Sequence, residues 1–234
     1  MDIKAESSSS SIQLNGLRID RVATPLGGVE LRVCPESKSN ELVARRESIT
    51  GRPECQSGKP TVVKPDSIVQ VKLAQDAMDF GFLEGVTMQD SATTRSLRLD
   101  TATSELDDNG CLVTRLKNED SGLMVTHYME VPPVPGTLRM WSTVTNISDS
   151  PVELEHLSSF VLSGMSPFVD DDAAGRLRLH RFRSWWSNEG KHEDELLETL
   201  HLVRNWQGNL MSNERFGQVG TQPVRKYFPF VAIE

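Results

Sequence analysis

A large antiparallel β-sandwich is the fold class this sequence predicts, and three observations carry the prediction. Apolar residues recur at every second position through short stretches, as in Val29, Leu31 and Val33, and in Leu123, Val125 and Met129 with His127 in the same alternation. That period of two turns one face of a strand toward a core. Turn-forming clusters separate the stretches at intervals usual for sandwiches, giving about nine strand candidates. No strand–helix–strand rhythm, the mark of a parallel sheet, runs through the chain.

Each element has its own warrant. Residues 1–13 read as a flexible lead, since five consecutive serines bury nothing and lose much entropy on ordering. Residues 14–234 are expected to form one domain. Leu17 and Ile19 alternate with Arg18 and Asp20, and Gly27-Gly28 joins that strand to the one through Val33 as a hairpin. Residues 34–65 are polar and broken by Pro35, Gly51, Pro53, Gly58 and Pro60. They read as a surface excursion, a contact loop or a cover for short strands. Ile68, Val69, Val71 and Leu73 suggest a strand, and Phe80 to Val86 a turn-rich link. Leu97 and Leu99 precede a strand at Leu112 to Leu116, across Asp107-Asp108-Asn109-Gly110, whose Asn-Gly tolerates the positive φ of a hairpin turn.

After the strand from Leu123 to Glu130, Pro132 to Gly136 stops the chain. Leu138–Thr145 and Val152–Leu162 are then expected to pair as a hairpin around residues 146–151, with Leu138, Met140 and Val144 on one face. One helix competes: Leu196, Leu197, Leu200 and Val203 stand at helical spacing within Lys191–Arg204, with acids early and Arg204 late. Alternation there also permits a strand through Leu200 and Leu202, and a short helix or helical turn is the expectation.

A net charge of −8 argues against a nucleic-acid or anionic-membrane partner. No run approaches the length of a transmembrane helix, and the N-terminus has no apolar signal core. Cys34, Cys55 and Cys111 are odd in number and lack a Cys-x-x-Cys pair, so reduced thiols in a cytoplasmic protein are expected. Without secretion the sequon at Asn146 has no consequence.

Few motifs carry chemistry. Asp170-Asp171-Asp172 lacks the glycine and terminal glutamate of a calcium loop and reads as a solvated turn. His127, His156, His180, His192 and His201 never fall at His-x-x-x-His spacing, so neither a metal site nor a cofactor is expected. His127 and His156 read as residues on strand faces; His180, beside Arg181, is the better site candidate. Gly217-Gln218-Val219-Gly220 is too short for a phosphate or dinucleotide fingerprint.

The last fifth of the chain concentrates aromatics and arginines: Trp185, Trp186, Trp206, Tyr227 and Phe228 with Arg183, Arg215 and Arg225. Flat aromatic faces stack on the C–H surfaces of sugars, and arginine donates oriented hydrogen bonds to hydroxyls. The same residue types also mark protein contacts. The apolar run Phe228, Phe230, Val231, Ile233 reads as a strand end that would normally be covered, which raises the expectation of a longer protein.

Trp185-Trp186-Ser-Asn-Glu-Gly190, Glu214-Arg-Phe-Gly-Gln-Val-Gly220 and Tyr227-Phe-Pro-Phe-Val-Ala-Ile-Glu234 resemble bacterial α-galactosidases of glycoside hydrolase family 36 over residues 137–234. The resemblance implies an N-terminal supersandwich, related in fold to galactose mutarotases, ahead of a catalytic barrel that holds both catalytic aspartates. It implies retaining hydrolysis of terminal α-galactosides by the whole enzyme and no catalytic residue in this chain. It further implies a role in supporting the barrel, assembling a homo-oligomer and edging the sugar pocket. By their side-chain chemistry Trp185, Trp186, Arg215, Arg225, Tyr227 and Phe228 are the candidates for contact with sugar or with protein. Two rivals remain open: a free-standing carbohydrate-binding module, with exposed aromatics, and a mutarotase- or epimerase-like enzyme, with a His and a carboxylate converging in a cleft.

Overall fold

The structure is a computed structural model that describes residues 10–24, 27–42, 49–50, 61–62, 66–76, 91–103, 105–162, 165–169, 173–202 and 226–234. Along the chain run β1 (Ser10–Leu14), β2 (Leu17–Ala23), β3 (Val29–Pro35), a 3-10 turn at Glu36–Glu41, β4 (Ile49–Thr50), β5 (Thr61–Val62) and β6 (Val71–Leu73). Then come α1 (Ala92–Ser96), β7 (Arg98–Ala102), β8 (Cys111–Asn118), β9 (Leu123–Glu130), β10 (Arg139–Asn146) and β11 (Leu154–Leu157). β12 (Arg178–Trp185), β13 (Asn188–Leu196) and β14 (Lys226–Ile233) complete the described strands. Every described pairing is antiparallel, so the fold is all-β, as the alternation predicts. No described helix is long and apolar enough to cross a membrane.

The sequence reading treats residues 14–234 as one domain; the chain divides into two compact units, Met1–Leu42 with Lys64–Gly164, and Val43–Val63 with Met165–Glu234. In the first unit, β1-β2-β3 form one sheet, β10-β9-β8-β7 a second and β11-β6 a third. Their inner faces supply one core: Ile19 and Leu31, Val71 and Leu73, Leu112, Leu116, Val125 and Met129, all at or near zero exposure. The two hairpins expected around Gly27-Gly28 and Asp107–Gly110 are present. At the second, Asp107 Oδ1 accepts from the backbone N–H of Asn109 and Cys111 at 2.9 Å, and Gly110 takes φ 74°.

Two expectations in this unit need correction. The flexible lead does not extend to residue 13, because Ser10–Leu14 is strand β1, with Ile12 packed against the core. Leu138–Thr145 and Val152–Leu162 do not form a hairpin: β10 pairs along its whole length with β9, while β11 pairs with β6 in another sheet. The cause lies in β6, three buried residues whose backbone groups need partners away from water. Residues 146–150 fold on themselves, Asn146 Nδ2 donating to Ser150 O at 2.7 Å. The chain then crosses to β6, where Lys72 Nζ meets Glu155 Oε1 at 2.7 Å. The expected shared face survives, since Leu138, Met140 and Val144 pack on the core. The short helix α1 is capped by Ser91, which accepts from Thr94 N at 3.1 Å. The link at Phe80–Val86 lies outside the described residues.

Gly122 joins β8 to β9 at φ 61°, and a Cβ there would stand 2.5 Å from Ser148 Cβ. Gly122→Ala therefore meets both left-handed strain and a clash, and should lower stability by about 1–3 kcal/mol in a denaturant melt.

Two polar side chains lie within the first unit's core. Arg21 is almost fully buried, donating through Nη1 to Thr114 Oγ1 at 3.1 Å, through Nε to Ser10 Oγ at 3.1 Å and through Nη2 to Thr103 O. His127 is fully buried, and neither ring nitrogen has a hydrogen-bond partner among the described residues. Burial first, and the Arg21 cation second, push its pKa down to about 4. Cys34 and Cys111 are free and buried, and burial raises both thiol pKa values. Cys55 lies outside the described residues.

In the second unit β13-β12-β14 form a three-stranded sheet, and β4 pairs with β5. The polar stretch from 34 to 65 thus contains short strands, one of the readings its sequence allows. The helix expected over Lys191–Arg204 is corrected: residues up to Leu196 form β13, paired with β12, and residues 197–201 are turns. Cross-strand charge decides this, because Glu193 and Glu195 gain Arg181 and Arg183 opposite them only in the extended form. Val203 and Arg204 lie outside the described residues.

Candidate functional site: the arginine–aromatic hairpin

β12 and β13 meet at Trp185 and Asn188, so Trp186 and Ser187 form a two-residue turn at the tip of the hairpin. Ser187 takes φ 59°, and its N–H donates to Glu189 Oε1 at 3.0 Å, which fixes the turn. The tip carries Trp185, 42% exposed, and Trp186, 83% exposed. Behind the tip one sheet face is built of alternating opposite charges. Arg183 Nε lies 2.7 Å from Glu193 Oε1, Arg181 Nε 3.3 Å from Glu193 Oε2 and Arg181 Nη2 2.6 Å from Glu195 Oε2. The Arg183 guanidinium beside it is the largest cause holding the Glu193 carboxyl below its usual range, and Glu193 raises the Arg183 pKa in turn.

Tyr227, on β14, is only 6% exposed, with the Arg183 and Arg181 guanidinium carbons 5.2 and 5.6 Å from its ring centre. Arg183 also stands 6.0 Å from the Trp185 ring. The structure therefore brings Trp185 and Tyr227 together around Arg183, with Trp186 next along the tip and Phe228 half-buried beside Tyr227. Arg215, Arg225 and Trp206 lie outside the described residues, as does Asp170–Asp172. Because Arg181 and Arg183 are paired with carboxylates and Tyr227 is covered, the tip tryptophan pair is the part of this cluster around Arg183 with a free face for contact.

The opposite face of this sheet holds a cluster the sequence points to only through His180. His180 Nδ1 and His192 Nε2 are 3.0 Å apart, with ring centroids 5.2 Å apart and planes within 2°. A ring nitrogen stands little more than a bond length from its ring's centre. The two rings therefore meet edge to edge in one plane, within hydrogen-bond distance, rather than face to face. His180 Nε2 is 3.1 Å from Glu234 Oε2 but off line for a hydrogen bond. Arg178 Nε donates to Asp194 Oδ2 at 2.6 Å, and this bond is the largest cause lowering the Asp194 pKa. The His–carboxylate pair that an epimerase would need lies here on a sheet face. An open polar cleft of about 530 Å³ lies in the first unit instead, lined by Lys117, Glu119, Asp120, Ser121, Ser148 and Ser150 among others.

Sequence reasoning missed Glu193, Glu195, Asp194 and His192 as partners of this hairpin. Their signal is the alternation of charge along 188–196, which becomes readable only once the two-residue turn fixes the register. It also missed the offset stack of Tyr128 on Trp141, 5.2 Å apart and 10° from parallel, on neighbouring strands β9 and β10. No family model matches this chain, and no curated protein or solved structure shows significant similarity to it.

Proposed function

We propose that the chain is the non-catalytic, N-terminal β-rich part of a cytoplasmic α-galactosidase-like enzyme of glycoside hydrolase family 36. In this reading it supports the catalytic barrel and the enzyme's oligomeric assembly, and it edges the sugar pocket with its hairpin tip. The observation that carries the proposal is Trp186, an indole left 83% exposed on a turn held from behind by the Arg183–Glu193 pair. Large aromatics held rigidly in the open cost little entropy when they dock, which suits them to contact surfaces. The residues that resemble the family, Trp185–Gly190 and Tyr227–Glu234, fall on this hairpin and on the strand beside it. The catalytic aspartates would come from the barrel.

A carbohydrate-binding module is the second reading, and the same exposed Trp186, with the Tyr128–Trp141 stack, favours it. Assay and calorimetry on the purified chain separate the two. The domain reading expects no hydrolysis of aryl α-galactosides and no galactose binding by the chain alone. It expects both functions when the chain is joined to a family 36 barrel, with Trp186→Ala reducing kcat/KM several-fold. Galactoside binding by the chain alone that Trp186→Ala abolishes would favour the module. Robust turnover by the chain alone would overturn both.

A further inference from the structure

We infer that β14 is a pairing edge for a second copy of this chain, joined in antiparallel fashion about a two-fold axis through Phe230. This does not depend on the α-galactosidase reading. In the sheet β13-β12-β14, β14 is an edge among the described strands. It leaves Phe230 50% and Val231 48% exposed, with Ile233 also open, so apolar side chains lie bare on both faces of one strand. Such a strand offers a free ladder together with apolar surface to cover.

The ladder's direction follows from its paired side. Arg178 and Glu234 exchange both backbone hydrogen bonds, at 2.8 and 3.0 Å. Since hydrogen-bonded and non-hydrogen-bonded pairs alternate, Ala232 faces His180 across β12, whereas the backbone groups of Val231 and Ile233 point to the open edge. Pro229, which has no N–H to donate, lies within the bulge that separates Arg181 from Arg183 in this pairing. Proline is tolerated at such an edge.

Charge then selects the register. Lys226 and Glu234 stand equally far from Phe230, at the two ends of the strand. Antiparallel pairing centred on Phe230 sets each Lys226 against the other copy's Glu234, whose side chain is 82% exposed with Oε2 beside His180. It also sets Phe230 against Phe230, Val231 against Pro229 and Ile233 against Tyr227. A shift of two residues would lose both charge pairs. The resulting sheet has β13 at both outer edges, where Glu189, Lys191, Glu193 and Glu195 discourage further addition, so the assembly closes as a dimer.

Sedimentation equilibrium on the full chain tests the register as well as the contact. A dimer with micromolar dissociation is expected, as suits a small interface. Lys226→Glu or Glu234→Lys alone should weaken it about tenfold, and the double reversal should restore it. Val231→Pro should abolish it with an unchanged circular dichroism spectrum, because that N–H points away from β12. A chain that stays monomeric at about 100 μM, or a dimer that all these changes leave intact, would overturn the inference.

Discussion

Lowering the pH from about 6.5 to about 4 should remove about 3 kcal/mol of stability through a single residue, His127. In the unfolded chain this imidazole takes up a proton near its ordinary pKa. In the fold it resists until about pH 4, because burial strips its hydration and the Arg21 cation opposes a second charge. Between those values the unfolded state binds the extra proton, so stability falls as the pH falls. Above about pH 6.5 neither state carries the proton and the loss disappears. Denaturant titrations at intervals across this range measure the slope directly. Glu193 and Asp194, held below the usual carboxylate range by their arginines, add a further loss at lower pH, as they protonate in the fold. His127→Leu should flatten the slope between pH 6.5 and 4 and leave the protein at least as stable at neutral pH. Both ring nitrogens lack partners among the described residues, so the substitution removes two unmet polar atoms at similar volume. A slope unchanged by His127→Leu would assign the titration elsewhere.

Arg21→Met should cost about 3 kcal/mol or more at neutral pH, the largest loss expected from a single polar side chain in the first unit. The guanidinium supplies donors to the buried Thr114 hydroxyl, the Thr103 carbonyl and Ser10 Oγ. Removing it leaves these acceptors short of a partner and loosens β1 from β2. The same change removes the cation that depresses His127, so the midpoint of that titration should move up. The two substitutions should therefore combine non-additively, as expected for groups that interact. Chemical melts of the single and double variants give the coupling.

How much of this was legible in the sequence depended on the range of the interaction. Strands with clean alternation, such as Val29–Val33 and Leu123–Met129, were readable because one face must meet the core whatever lies opposite. The Asn109-Gly110 turn was readable because its backbone requirement is local. The partner of β11 was not: the polar turn at 146–151 suits a hairpin, and only the buried backbone of β6, some eighty residues away in sequence, draws the strand elsewhere. The 191–204 segment was misread for a related reason. Its leucines fit a helix locally, while its glutamates find their arginines only across a hairpin. Of the candidate site, the tryptophan tip was visible as composition. Its rigidity was not, since the Arg183–Glu193 lock rests on a register that the turn sets. The burial of Tyr227 beneath two arginines was likewise out of reach, because it joins strands β12 and β14.

The central claim, that this chain serves as the β-rich partner of a catalytic barrel, is tested most directly by reading the gene past the codon for Glu234. The account predicts an open frame that continues into a (β/α) barrel with two aspartates placed for retaining glycoside hydrolysis. A stop codon directly after Glu234 would contradict it and leave a free-standing β protein whose tryptophan tip must meet some other surface.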